Sequence, residues 1–330
     1  MIAPACPHKD SKRFGRDRKG NQRFRCRLCG ATWTEKRPRP IGDMRIDPAK
    51  ARQVLQMLLE GVSIRSTVRL TGIAKNSILR LLELVGGRAQ YYWTLTMRNL
   101  PASNVQVDEV WGFVYAKEKT CVAKGIGGYS GDAYTFFGIE RDTKLILAWH
   151  LGRRDQTETI VFADKLRTAT SDRFQLTTDG FQPYARVIPE AFSGNVDFAQ
   201  LVKQYGKSKD AKAESRYSPA TITGIRKIEV WGRPNMDQAC TSHIERSNLS
   251  VRMGVRRMTR LTNAFSKKWA NHEHHLALWF LHYNFCRPHL TLSKGADGGI
   301  RQPTTPAMAA GLTDHVWSLG ELLDRLARDS

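Results

Sequence analysis

The chain has 330 residues, of which 41% are apolar, and a formal net charge of +21. Its length and apolar content exclude a disordered protein and are sufficient for two or three domains with buried cores. Because no apolar run reaches the ~18 residues that span a bilayer, and the N-terminus lacks the apolar core of a signal peptide, we expect a cytoplasmic protein.

Basic residues are concentrated in two segments of the chain. Residues 1–40 contain 12 Lys or Arg and 3 Asp or Glu, whereas residues 246–268 contain 7 basic residues and no acidic one. Patches of one charge indicate a polyanionic partner, which we expect to be double-stranded DNA rather than a membrane. Acidic protein partners or a membrane surface are the alternatives.

The first 40 residues predict a small zinc ribbon. Cys26 and Cys29 form a C-x-x-C motif followed by glycine, a spacing that lets two thiolates bind one zinc ion. Cys6 is the expected third ligand. Lys9 occupies the place where a second C-x-x-C motif would have its cysteine, so His8 is the best candidate for the fourth ligand. A segment this short buries little apolar surface, and a metal would explain how it folds; the alternative is a basic arm without metal.

Residues 44–98 have the pattern of a helix-turn-helix domain, which follows a proline-containing linker at residues 36–40. Asp47 and Pro48 are typical of a helix start, and Gly61 marks the end of that helix. In such a domain the third helix, which we expect at Ala74–Leu84, contacts the major groove of DNA through its first turn. The alternative is an ordinary three-helix bundle. The residues that would contact DNA are Lys75, Asn76, Ser77 and Arg80.

Residues 99–292 have a strand-rich pattern that predicts an α/β catalytic domain. Three strands are followed by a helix and a fourth strand, which is the order of a ribonuclease H-like mixed sheet with flanking helices. We interpret residues 197–205 as a fifth strand, residues 206–238 as a loop or insertion, and residues 293–330 as a C-terminal tail with a short helix. The first five elements are expected at Val105–Tyr115, Tyr134–Glu140, Leu145–His150, Thr157–Thr168 and Phe174–Thr178.

Three acidic residues of this domain are candidate ligands of a divalent cation. Asp108 lies in the first strand, Asp179 ends the fourth strand just before Gly180, and Glu245 lies in a helical segment. Successive side chains of a strand point to opposite faces, so we expect only one of Asp108 and Glu109 to enter the site. Asp108 is preferred because its neighbours on the same face are small.

Carboxylates of this kind suit phosphoryl transfer on nucleic acid. Two Mg²⁺ or Mn²⁺ ions ~3.5–4 Å apart can activate an attacking oxygen and stabilise a leaving oxygen, and both ions prefer oxygen ligands. Arg252 and Arg256 continue the predicted helix face of Glu245 and are candidate phosphate-binding residues.

Three motifs, Val107–Val114, Thr178–Phe181 and His243–Asn248, together resemble bacterial insertion-sequence transposases of the IS-one type. A ribbon, a helix-turn-helix domain and a catalytic core follow in the same order in that family. The resemblance extends from about Cys6 to about His289 and therefore covers most of the chain.

The resemblance implies a metal-dependent DNA strand transferase that binds the terminal repeats of an insertion sequence, cuts there and joins the end to target DNA. Two DNA ends must meet, so at least a homodimer is expected. The chain departs from the family pattern at Lys9 and in the separation of 66 positions from Asp179 to Glu245, which is long for a compact core. By resemblance, the catalytic triad would be Asp108, Asp179 and Glu245, and the zinc ligands would include Cys6, Cys26 and Cys29.

Two other functions stay open on the sequence alone. A non-catalytic DNA-binding regulator derived from a transposase would keep the ribbon and helix-turn-helix but neglect the core, and the presence of all three acidic residues argues against it. A structure-selective nuclease on the same fold would cut DNA without joining it.

Overall fold

The smaller of two compact units, residues 1–39, contains a three-stranded antiparallel sheet. Its strands are β1 (Ser11–Arg16), β2 (Gln22–Cys26) and β3 (Thr32–Thr34), in that order. Cys26 is the only buried residue among those described in this unit, which therefore has almost no apolar core. The computed structural model describes residues 6–18, 20–35, 39–206, 222–260, 262–293 and 302–328. Residues 36–38 of the predicted linker lie outside these ranges.

The larger unit, residues 40–330, begins with three helices. Asp47 caps the first helix by accepting a hydrogen bond from the Lys50 backbone N–H at 3.0 Å, as its position before Pro48 predicts. The helices are α1 (Pro48–Leu59), α2 (Ile64–Thr71) and α3 (Lys75–Thr96).

Helix α3 is longer than the segment that the sequence predicts, which ends near Leu84. Gly86 and Gly87 do not end the helix, because Gly86 lies against the backbone of α8 (Trp269–Phe285). A Cβ at Gly86 would be 2.4 Å from the Cβ of His274, so glycine allows this close approach. The three helices and the sheet share one apolar core, and the domain boundaries within this unit stay a prediction.

A six-stranded mixed sheet in the order β6-β5-β4-β7-β8-β9 forms the centre of the larger unit. β4 pairs with β7, and β7 with β8, in parallel; the other pairs are antiparallel. The α/β class and the mixed sheet with flanking helices are therefore as expected. The strands are β4 (Asn104–Val114), β5 (Gly131–Glu140), β6 (Ile146–Gly152), β7 (Gln175–Asp179), β8 (Asp197–Tyr205) and β9 (Ile222–Trp231).

Strand β9 corrects the interpretation of residues 206–238 as a loop or insertion. It pairs with β8 at the edge of the sheet, and residues 207–221 lie outside the described residues. Most residues of β9 are exposed, including Arg226, Lys227 and Glu229. An edge strand with two solvated faces lacks the alternation of apolar and polar residues by which a strand is recognised.

The flanking helices complete the larger unit. Residues 293–330 contain two described helices where the sequence predicts one, and the second buries Leu322, Leu323 and Leu326. None of the helices within the described ranges is long and apolar enough to cross a membrane. The remaining helices are α4 (Glu118–Ala123), α5 (Gln156–Ala169), α6 (Gln182–Ala191), α7 (Ser242–Gly254), α9 (Pro306–Ala309) and α10 (Leu319–Arg328).

Candidate metal centres

Three carboxylates meet where the parallel strands β4 and β7 end their pairing. Val107 and Thr178 are the last paired residues, so Asp108 and Asp179 follow side by side. β7 ends at Asp179, whereas β4 continues to Val114. One oxygen each of Asp108, Glu109 and Asp179 lies within 4.8 Å of the other two. We call these three residues the carboxylate centre.

The presence of Glu109 in this centre corrects the expectation that only one of two adjacent residues could enter it. Asp108 Oδ1 accepts a hydrogen bond from the Glu109 backbone N–H at 2.8 Å, which turns the Asp108 carboxylate along the strand. Beyond Asp179 the edge of β4 is no longer covered by β7, so both carboxylates have room to approach each other. Both residues are still paired with β5, so their side chains keep the alternation of a strand, and the two carboxylates approach each other on the side of β4 that β7 leaves uncovered.

The negative charges of the carboxylate centre are only partly balanced by the residues around it. Burial, followed by the negative charge of Asp179, raises the pKa of Asp108 to about 6 and the pKa of Glu109 to about 8. The side chain of Glu109 is 2% exposed and that of Asp179 is 39% exposed, so the centre opens to solvent at Asp179. Raised carboxyl pKa values in a half-open site are typical of functional acidic groups.

A buried tyrosine lies behind the centre. The hydroxyl of Tyr184, on α6, is fully buried and approaches Glu109 without a hydrogen bond of ordinary geometry. Glu109 Oε1 is also buried and has no hydrogen-bond partner within the described part of the chain. Burial raises the pKa of Tyr184 well above its usual value. An unsatisfied buried oxygen and three clustered carboxylates fit a hard divalent cation, for which oxygen is the preferred ligand atom.

A basic side chain faces the centre from the loop between β6 and α5. Arg154 Nη2 lies 3.6 Å from Glu109 Oε2 and 3.7 Å from Asp179 Oδ2. Its guanidinium group is 4.0 Å from the centroid of the Phe181 ring. Nothing in the local sequence around Arg154 indicates this contact.

Glu245, the third residue of the predicted triad, lies outside the group of three. Its carboxylate pairs closely with Lys203 of β8 and accepts a hydrogen bond from Thr241 Oγ1 at 2.6 Å. Asn248, one turn further along α7, donates to Asp108 Oδ2 at 2.6 Å. The structure thus places α7 against the centre through Asn248, while Glu245 is held by Lys203 beside it.

The predicted stripe of Arg252 and Arg256 is not one helix face. α7 ends at Gly254, where the indole of Trp279 occupies the space that a Cβ would need, and Arg256 lies in a separate 3-10 turn. Arg252 donates hydrogen bonds to the backbone carbonyls of Trp111 and Met258, and burial lowers its pKa to about 10. The role of these two residues in DNA binding stays a prediction.

The predicted DNA-contacting residues lie at the start of α3. Lys75, Asn76 and Arg80 are exposed and Ser77 is half-buried. Ala74 precedes the helix and provides no side-chain cap, so the first backbone N–H groups of α3 have no side-chain acceptor there. The position is accessible to a polyanion, and contact with DNA stays a prediction.

The smaller unit brings together Cys6, His8, Cys26 and Cys29, each of which offers one ligand atom within 4.8 Å of the others. Cys6 Sγ is 3.7 Å from Cys26 Sγ, and Cys29 Sγ is 3.4 Å from His8 Nδ1. The backbone N–H of Cys29 and the His8 side chain lower the pKa of the Cys26 thiol to about 6. This cysteine–histidine cluster has the donor set of a tetrahedral zinc site and is compatible with the predicted ribbon.

Comparison with known proteins gives a distant structural likeness. No protein-family model matches the sequence. Among solved structures, the chain is similar to the piggyBac transposase in a synaptic complex with hairpin DNA, with a TM-score of 0.32 and 10% sequence identity. The similarity covers 85% of this chain and 60% of that one, so the chain spans about three fifths of the length of its neighbour.

Proposed function

We propose that the chain is a DNA transposase of the IS-one type, whose ribonuclease H-like core cuts and joins DNA strands with a divalent cation. The observation that carries the proposal is the meeting of Asp108, Glu109 and Asp179 where the parallel pairing of β4 and β7 ends. In a chain with a net charge of +21, a compact site of negative charge suits chemistry on a bound phosphate.

The residues of the centre have distinct parts in this proposal. Asp108 and Asp179 would hold the cation, and Glu109 adds a third carboxylate from the buried side. Glu245 completes the triad that the sequence resemblance implies, and joining the centre would require it to leave Lys203. When bound, Mg²⁺ or Mn²⁺ would supply a Lewis acid for the phosphoryl oxygens.

The proposed reaction has two displacements at phosphorus. Water attacks the scissile phosphate at an element end, the bond from phosphorus to the 3′ oxygen breaks, and a free 3′-OH results. That 3′-OH then attacks a phosphodiester of target DNA and displaces the 3′ oxygen of the target strand. No covalent intermediate with the protein is needed. Lys75 and Arg80 on α3 would bind the element end, and the zinc-bound ribbon would add positive charge.

The proposal is tested with labelled duplexes tiled across the DNA on both sides of the chain's own coding sequence, because that DNA would contain the terminal repeats. Wild type with Mg²⁺ should produce cleaved and joined strands, and Asp179→Asn should produce neither. Asp172→Asn, which changes an exposed aspartate outside the centre, is the matched control and should act like wild type. Salt-sensitive binding without cleavage by any of the three proteins would instead indicate a DNA-binding regulator, and cleavage without joining would indicate a nuclease.

A further inference from the structure

Arg154 and a divalent cation would use the same two carboxylate oxygens. The guanidinium faces Glu109 Oε2 and Asp179 Oδ2, at 3.6 and 3.7 Å. The other Asp179 oxygen, Oδ1, already accepts a hydrogen bond from the Phe181 backbone N–H at 2.9 Å. The other Glu109 oxygen is buried on the side of Tyr184. The two oxygens of Asp108 accept hydrogen bonds from the Glu109 backbone N–H and from Asn248. Apart from the buried Glu109 Oε1, the oxygens of the centre that accept no hydrogen bond from the described residues are therefore those that Arg154 faces.

The position of Arg154 is fixed by the residues on both sides of it. Arg153 forms close hydrogen bonds to the backbone carbonyls of Ser130 and Asp132, which anchors the loop to the start of β5. Asp155 caps α5 by accepting a hydrogen bond from the Glu158 backbone N–H at 2.9 Å. The loop that carries Arg154 is thus held at both ends, and its side chain is directed to the centre by the architecture of the fold.

The ring of Phe181 supports the guanidinium from below. A guanidinium stacked on an aromatic face keeps its charge while it loses part of its hydration, and at 4.0 Å the contact is close. The Phe181 backbone N–H also donates a hydrogen bond to Asp179, so the aromatic ring under Arg154 and the carboxylate belong to the same turn. The Arg154 side chain is 37% exposed, so it can turn to solvent, whereas the Glu109 side chain that it leaves is 2% exposed and then relies on the incoming cation to balance its charge.

We propose that Arg154 is a built-in competitor of the divalent cation: it binds Glu109 and Asp179 in the metal-free protein and must leave them when a cation binds. Arg154 then acts as a positioning residue, because it holds the clustered carboxylates together before metal arrives and sets the cation concentration at which the centre fills. The inference rests on the proposed function insofar as it takes the carboxylate centre to be a divalent-cation site.

The test measures Mn²⁺ binding to the full chain without DNA, by calorimetry and by the electron paramagnetic resonance signal of free Mn²⁺. Arg154→Gln removes the competing charge and should bind Mn²⁺ about tenfold more tightly than wild type, since the two ion pairs of Arg154 must break when a cation binds and each lowers the affinity by a few-fold. Arg154→Lys keeps the charge but loses the planar guanidinium that can face two carboxylates and stack on Phe181. The Mn²⁺ affinity of Arg154→Lys should lie between those of wild type and Arg154→Gln. Arg167→Gln, which removes an exposed pair with Asp164 on α5, should bind Mn²⁺ as wild type does.

A fourth variant, Asp179→Asn, separates failure of this inference from failure of the proposed metal site. Loss of Mn²⁺ binding in Asp179→Asn together with unchanged or weaker binding in Arg154→Gln would overturn the competition while leaving the metal site in place. Equal Mn²⁺ binding by wild type and Asp179→Asn would show that the centre is not the metal site, and both proposals would then fail. If Arg154→Gln does not fold, the inference stands or falls on whether Arg154→Lys binds Mn²⁺ more tightly than wild type.

Discussion

The two candidate metal centres differ in how they relate to the fold around them. The cysteine–histidine cluster lies in a unit of three short strands in which Cys26 is the only buried residue described. The carboxylate centre lies on the two central strands of a six-stranded sheet with an extensive apolar core. In the first region a metal would hold the fold together, whereas in the second the fold holds the metal site.

The donor atoms follow the same division. Three thiols and an imidazole form a closed set that suits zinc and leaves no position for a substrate. Carboxylates that open to solvent at Asp179 suit a hard cation and leave room for phosphate. The difference teaches that a structural and a catalytic metal site can be told apart in one chain by the donor set and by the core that surrounds it.

The largest expected effect is the loss of structure in the smaller unit when zinc is removed. Structural zinc sites contribute on the order of 10 kcal/mol or more to folding, which is more than a unit without an apolar core can replace. Treatment with a zinc chelator, or the change Cys26→Ser, should abolish slow hydrogen exchange in residues 11–34 and leave the protection of residues 104–114 intact. Cys286→Ala, outside the cluster, should change neither region. If the protection of residues 11–34 survives chelation, the smaller unit does not depend on zinc for its structure, and the contrast with the larger unit is wrong.

Acid should affect the larger unit through its buried histidines rather than through metal. Burial, followed by the charge of Arg257, lowers the pKa of both His272 and His275 to about 3. The unfolded state binds protons near pH 6.5, so stability from each neutral histidine is complete above that pH and falls by about 1.4 kcal/mol per pH unit below it. Between pH 7 and pH 5, His272→Leu should therefore lose about 2 kcal/mol less stability than wild type, as measured by urea unfolding. Equal losses in the two proteins would contradict the buried neutral state of His272.

The carboxylate centre should give a pH dependence of the opposite sign. The pKa of Glu109 is raised to about 8, so the folded state binds more protons than the unfolded state between about pH 4.5 and pH 8. Metal-free wild type should lose about 1 kcal/mol of stability per pH unit as the pH rises from 6 to 8, relative to Glu109→Gln. Urea unfolding at pH 6, 7 and 8 in the presence of a chelator measures this difference. A difference that does not change with pH would show that Glu109 has an ordinary pKa.

The smallest expected effect concerns the DNA-contacting residues of α3. Lys75→Ala should weaken binding to duplex DNA by about three- to tenfold and reduce the slope of log affinity against log salt by about 1, because one phosphate contact is lost. Arg167→Ala on the exposed surface of α5 is the control for the loss of one positive charge. Fluorescence anisotropy between 50 and 200 mM salt measures both quantities. An equal effect of the two changes would remove α3 from the DNA interface.

The fold was largely predictable from sequence where the patterns are strong. The run of β4 is rich in valine and largely buried, and the short strand that ends at Asp179 is bounded by Gly180; the structure places both where the sequence predicts them. The edge strand β9 and the extension of α3 past Gly86 were missed. β9 was missed because both of its faces are solvated, so it lacks an apolar alternation. The extension of α3 was missed because glycine usually weakens a helix, whereas Gly86 is needed here for the close contact with α8.

The candidate site was predictable only in part. Asp108 and Asp179 could be proposed as partners because strand-borne aspartates can converge on one sheet, and the parallel pairing of β4 and β7 brings them side by side. The contribution of Glu109 depends on where β7 stops, and the contacts of Arg154 and Lys203 depend on segments far apart in sequence. No local spacing rule contains that information. The one local signal available was Asn248, three positions after Glu245 on the same helix face, which does contact Asp108.

The most direct test of the division between the two centres is anomalous diffraction from crystals of the full chain grown with zinc and soaked in MnCl₂. Data collected on both sides of the manganese and zinc absorption edges should place manganese within bonding distance of Asp108 and Asp179 and zinc among Cys6, His8, Cys26 and Cys29. The absence of manganese at the carboxylates at saturating MnCl₂, or zinc bound there in preference to the cysteines, would contradict the assignment of a catalytic cation to the sheet and a structural one to the ribbon.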